Sequence, residues 1–142
     1  VTVDNPETPS SHQRTYYEHL VKRLRGVTDA EIRLIPIPEV MYELDKRMRE
    51  GEVPGLSGIG DIMGDKLHLD AGLGGYLAGV TVYSTIFGKS PEGLAKPDGH
   101  YEGKEGNLIT PEVAKIVNEI VWKVVSGHAL TGVADAAAPA GR

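Results

Sequence analysis

Apolar residues recur at helical spacing in four stretches of this chain and crowd together without that period in a fifth. In the first stretch Tyr16, Tyr17, Leu20, Val21 and Leu24 fall three and four positions apart until Gly26 interrupts them. This predicts an amphipathic helix over about 11–25, with Ser10 or Ser11 as N-cap and Arg14, Glu18, Lys22 and Arg23 on its wet side. Residues 31–37 read EIRLIPI, a short run dense in branched apolar side chains that predicts a buried strand ending near Pro36, which cannot donate to a ladder. Pro38 then suits the first position of a second helix, which carries Val40, Met41, Leu44 and Met48 as far as Gly51.

Residues 52–64 hold Pro54, Ser57 and Gly55, Gly58, Gly60 and Gly64, hence a loop with a short turn over 58–63. The third helix, about 71–87, carries Gly72, Gly74, Gly75 and Gly79 among Leu73, Leu77, Val80 and Ile86. Each interior glycine costs about 0.5–1 kcal/mol relative to alanine, a cost tolerated where another backbone approaches closely. Residues 88–109 are turn-rich and predict an irregular excursion, with a hairpin at Asp98-Gly99 as the alternative. Thr110 caps the last helix and Pro111 opens it; Val113, Ile116, Val117, Ile120, Val121, Val124 and Val125 form a broad apolar stripe that ends at Gly127. Residues 1–10 have linker composition, and 134–142 predict a frayed tail. A strand, a tight turn and a helix in succession predict an α/β fold, and the lone strand predicts that its sheet is completed by polypeptide outside this chain.

A chain of 142 residues is one domain's worth. With 15 Lys and Arg against 20 Asp and Glu, its net charge is −5, without the clustered cationic face that nucleic-acid binding needs. No cysteine is present, which excludes disulfides and thiolate metal sites. No apolar run approaches the roughly 20 residues needed to span a bilayer. The first residues, VTVDNPETPSS, are neither an initiator methionine nor a signal segment, so Val1 reads as a cut end.

The chemistry concentrates at Asp65 and His68, three positions apart between Gly64 and the small-residue helix. An imidazole serves as a general base near neutral pH, and a carboxylate bonded to one ring nitrogen fixes its tautomer and steadies the imidazolium that forms. Two other readings suit the same residues: Asp65 capping a turn beside a loop histidine, or Asp61, Asp65, His68 and Asp70 holding a divalent cation. His12, His19, His100 and His128 lack carboxylates at useful spacing and read as surface or capping groups. Trp122, Tyr16, Tyr17, Met41 and Met48 fall on or beside apolar stripes and read as core, and Glu102, Lys104 and Glu105 as a solvated loop.

The runs IPIPEVMYELDKRMREGEVPG, DKLHLDAGLGGYLAGVTVYSTIFGKSPEGL and VWKVVSGHALTGV together resemble the C-terminal part of bacterial SGNH (GDSL-type) hydrolases over about 12–133. The matching residues are Asp65 and His68, then Gly75-Tyr76-Leu77, then Gly88-Lys89-Ser90-Pro91. The resemblance implies a flavodoxin-like α/β/α sandwich, of which this chain supplies the C-terminal part, and a serine esterase acting on an acyl ester or an acetylated sugar. His68 would be the base and Asp65 its orienter, with no cofactor and no metal, in an extracytoplasmic setting. The family's Gly-Asp-Ser or Gly-Asn-Ser nucleophile block and its Gly and Asn oxyanion blocks are absent from this chain. Ser10, Ser11, Ser57, Ser84, Ser90 and Ser126 do not follow a buried strand, so the nucleophile is expected on the missing N-terminal half or on another chain. A non-catalytic binding or assembly module that keeps the same half-fold is the alternative.

Overall fold

A computed structural model describes residues 15–94 and 109–133 of the chain. Four helices account for its regular structure: α1 (Tyr16–Arg25), α2 (Ile37–Arg49), α3 (Leu73–Phe87) and α4 (Pro111–Gly127), with a short 3-10 turn at Ile59–Ile62 between α2 and α3. Helices α2, α3 and α4 pack against one another, and the 3-10 turn leans on α2. Their shared core is built from Val40, Leu44 and Met48 of α2, Leu77 and Val80 of α3, and Val113, Val117, Ile120, Val121 and Val125 of α4. These are the periodic apolar positions of the sequence. Leu44 is fully enclosed, so its truncation to alanine would cost about 2–5 kcal/mol.

The helix ends follow local chemistry. The Thr110 hydroxyl accepts a hydrogen bond from the Val113 amide at 3.2 Å, and Pro111 takes the first position of α4, where no amide is needed. Helix α3 stops because Gly88 adopts φ 61°, a left-handed conformation that glycine enters freely, and returns its amide to the Ser84 carbonyl at 3.0 Å.

The α/β expectation is overturned. Among the described residues no β-sheet forms; the sole bridge is an isolated antiparallel one between Met63 and Leu69. Residues 31–36 have no regular secondary structure, and Ile37 already belongs to α2. A strand is defined by its neighbour, and among the described residues this segment has none: it makes one long-range backbone bond, Leu34 amide to Leu130 carbonyl at 2.9 Å. Leu34 is buried instead in a small cluster with Val21 of α1 and Leu130. Pro36 removes one more donor from the run. A flavodoxin-like sandwich is therefore not the architecture of this structure, which is helical.

Helix α1 stands apart from the three-helix core. Of its apolar stripe only Val21 is buried, while Tyr17, Leu20 and Leu24 are each more than a third exposed. Tyr16 and Tyr17 stack edge to face with ring centres 5.1 Å apart rather than entering the core. The helix is held by Arg25, whose guanidinium donates to the carbonyls of Ile32 at 2.8 Å and Leu130 at 3.2 Å. The expected linker 1–10, the helix start at Ser10 or Ser11, the Asp98-Gly99 hairpin, His12, His100, the Glu102 to Glu105 cluster and the tail 134–142 lie outside the described residues.

Candidate active site

The loop carrying Asp65 and His68 is closed at its base by the Met63–Leu69 bridge. The Gly64 amide donates to the His68 carbonyl at 2.8 Å, and the Asp70 amide to the Ile62 carbonyl at 2.9 Å. Within this small loop Asp65 plays two roles at once. Its Oδ1 accepts the backbone amides of Leu67 at 2.7 Å and His68 at 2.8 Å, capping the turn, while its Oδ2 lies 2.8 Å from Nδ1 of the His68 ring. The turn-capping reading and the base-orienting reading are thus two faces of one arrangement.

The ring contact and the two backbone donors hold the Asp65 carboxyl down at a pKa of about 2, so it is ionised throughout the neutral range. An ionised carboxylate only accepts, so Nδ1 of His68 is the donor in this contact, and in the neutral ring that leaves the lone pair on Nε2. Among the described residues Nε2 has no partner. Both side chains are open to solvent, His68 at 76% and Asp65 at 60% exposure. The ring is thus oriented but neither walled nor shielded from water.

No described serine engages it. Ser57 donates its hydroxyl to Asp61 at 3.0 Å, and Ser126 donates to the Trp122 carbonyl at 2.6 Å. Ser84 is sealed within α3, and the Ser90 hydroxyl accepts the Glu92 amide at 3.2 Å. The expected Asp65–His68 pair is therefore brought together, with no serine beside it among the described residues. No family model matches the chain, nor does any curated protein or solved structure.

The cation reading fails on geometry. No group of three or more His, Asp or Glu side chains converges as a metal site would require among the described residues. Asp61 turns back to accept the amides of Ser57 at 2.6 Å and Gly58 at 3.3 Å, contacts that depress its pKa, the Ser57 amide most of all. Asp70 faces inward and caps α3 through the Gly74 amide at 2.8 Å.

Sequence reasoning missed a second histidine–carboxylate pair. Nε2 of His128 lies 3.1 Å from Oε1 of Glu18 in α1, and its Nδ1 accepts the Leu130 amide at 3.2 Å. Both ring nitrogens are engaged, so this histidine fastens helices and cannot serve as a base. Sequence reasoning also missed a cleft of about 560 Å³ between α3 and α4, lined by Tyr76, Ile109, Asn118 and Trp122. On its floor the Tyr76 hydroxyl donates to Oδ1 of Asn118 at 2.9 Å, and the Asn118 amide donates to the Pro91 carbonyl at 3.3 Å. Burial raises the Tyr76 pKa, keeping the phenol neutral and donating. Trp122, expected in the core, is half-buried on the wall of this cleft.

Proposed function

We propose that Asp65 and His68 are the orienter and general base of a serine ester hydrolase whose nucleophile lies on polypeptide outside this chain. The observation that carries the reading is the Asp65 Oδ2 to His68 Nδ1 contact of 2.8 Å, made by a carboxylate whose other oxygen is already locked by two amides. That geometry leaves Nε2 outward with its lone pair available, which is what removal of a proton from a serine hydroxyl requires. The base would take the serine proton as the hydroxyl oxygen attacks the acyl carbon. It would then return the proton to the departing alcohol, and a water activated in the same way would release the acid. The resemblance to SGNH hydrolases implies a small acyl ester or an O-acetylated sugar as substrate.

The test compares this chain with the product of the full open reading frame on p-nitrophenyl acetate, with fluorophosphonate labelling of the serine. The 142-residue chain alone should hydrolyse no faster than free imidazole. The full product should turn over, label on one serine, and lose its activity with His68→Ala. Activity that survives His68→Ala overturns the reading.

A non-catalytic binding module is favoured by one separate observation, the cleft of about 560 Å³ floored by the Tyr76–Asn118 pair. Its volume lies in the range of small-molecule sites. Its rim includes Leu94 and Ile109, which border 95–108, residues outside the described set.

A further inference from the structure

Asp70 is buried, 7% exposed, and follows His68 by two positions. Three of its atoms are committed. Its amide donates to the Ile62 carbonyl at 2.9 Å, which closes the base of the Asp65–His68 loop. Its carbonyl accepts the Gly75 amide at 2.9 Å, and its Oδ1 accepts the Gly74 amide at 2.8 Å, satisfying two of the orphan donors at the start of α3. One residue therefore ends the loop and begins the helix. Gly74 completes the joint from the helix side: a Cβ there would lie 2.7 Å from the Ile62 carbonyl oxygen, 2.8 Å from the Leu69 Cβ and 3.0 Å from Oδ1 of Asp70. The loop base sits directly on the helix's first turn because position 74 has no side chain.

We infer that Asp70 is a positioning residue for the His68 base, one that indexes the loop to the first turn of α3 through Gly74. The inference rests on the esterase reading for its functional meaning, and its structural part can be judged separately. Oδ2 of Asp70 is buried without a hydrogen-bond partner among the described residues. No described contact thus uses the second oxygen, and the role belongs to the Oδ1 acceptor rather than to the charge. Asparagine, which keeps an acceptor oxygen at the same place, should replace it; alanine should not.

The experiment reads two NMR observables on the 142-residue chain. The first is the nitrogen-15 pattern of the His68 ring, which reports the share of the Nδ1–H tautomer. The second is hydrogen exchange at the Gly64 and Gly74 amides. In the unaltered chain His68 should be held as the Nδ1–H tautomer, and the two amides should show matching protection because they open together. Asp70→Ala should shift the His68 ring towards the tautomer mixture of a free histidine. It should also cut protection at Gly64 by roughly five- to tenfold, the factor expected from losing one helix cap. Asp70→Asn should restore both.

A folded Asp70→Ala chain with an unchanged His68 ring overturns the inference. So does an unaltered chain in which Gly64 exchanges freely while Gly74 is protected, a result that stands even if Asp70→Ala does not fold. In the product of the full open reading frame, Asp70→Ala should lower kcat with KM unchanged. If His68→Ala there leaves activity intact, the esterase reading fails while the tautomer result still decides the role of Asp70.

Discussion

Glu18 and His128 stand 110 positions apart in the chain and meet at 3.1 Å, fastening α1 to the residues that follow α4. Among the described residues α1 is otherwise secured by one buried valine and by Arg25, so the pair carries a large share of the described attachment. Glu18→Gln should leave the three-helix core intact, lower stability by about 1 kcal/mol, and raise hydrogen exchange along α1 selectively. Urea denaturation with residue-resolved exchange checks both parts; uniform loss of protection across α2 to α4 would contradict it.

The acid response of the Asp65 loop follows from the direction of its shift. The folded carboxyl titrates near pH 2, below its ordinary value of 3.8, because the His68 ring and two amides favour its ionised form. The loop order it contributes is therefore present above about pH 4 and is lost as the pH falls through about 2. The residue is exposed, so the loss is confined to the loop and global unfolding does not follow from it. Amide shifts of Leu67 and His68 followed from pH 5 to pH 2 should move together, ahead of those in α4.

In the product of the full open reading frame, Asp65→Asn should cut kcat on p-nitrophenyl acetate by up to about 10⁴-fold, because the amide would present the wrong tautomer of the base. KM should stay within a few-fold of its starting value. An equal loss from Asp65→Asn in KM and none in kcat would assign the residue to binding instead.

Two glycines of α3 should respond in opposite directions to alanine. Gly74→Ala drives a methyl against the Ile62 carbonyl at 2.7 Å, and should destabilise by about 1–3 kcal/mol even after the gain in helix propensity. A Cβ at Gly79 meets nothing within 4 Å beyond its own turn of helix, so Gly79→Ala should stabilise by up to about 1 kcal/mol. Urea midpoints of the two variants measure the contrast directly.

Asn118→Ala should expose the polar floor of the α3–α4 cleft. It strips the Tyr76 hydroxyl and the Pro91 carbonyl of their partner, at a cost of about 1–3 kcal/mol. Tyr76→Phe removes one of those bonds only and should cost less. Chemical denaturation of both variants ranks them.

Most of the helical scaffold was legible in the sequence. Thr110-Pro111 marked the start of α4, the turn-rich run from 88 bounded α3 at 87, and the Val40, Leu44, Met48 spacing named the buried face of α2. The expected strand at 31–37 was not, because composition cannot separate a strand from an extended segment buried by other means. Only a neighbouring ladder makes that distinction, and Leu34 found Val21 and Leu130 instead. The Asp65–His68 contact was legible because its two partners stand three positions apart within one turn. The Glu18–His128 contact was invisible because it depends on how α1 docks. Asp70 left a signal that was overlooked, an acidic residue just before a small-residue helix, which is where N-terminal caps belong.

The division of labour within the Asp65 carboxylate also bears on when the pair forms. The hydrogen bonds within the turn come from residues 65–68, and those that close its base and seat it on α3 come from Ile62, Gly64, Asp70 and Gly74, all within one short stretch of chain. Loops of this size close in well under a microsecond. The oriented imidazole is therefore the product of one short segment, residues 62–74, and it needs the first turn of α3 but not the docking of α1 or α4.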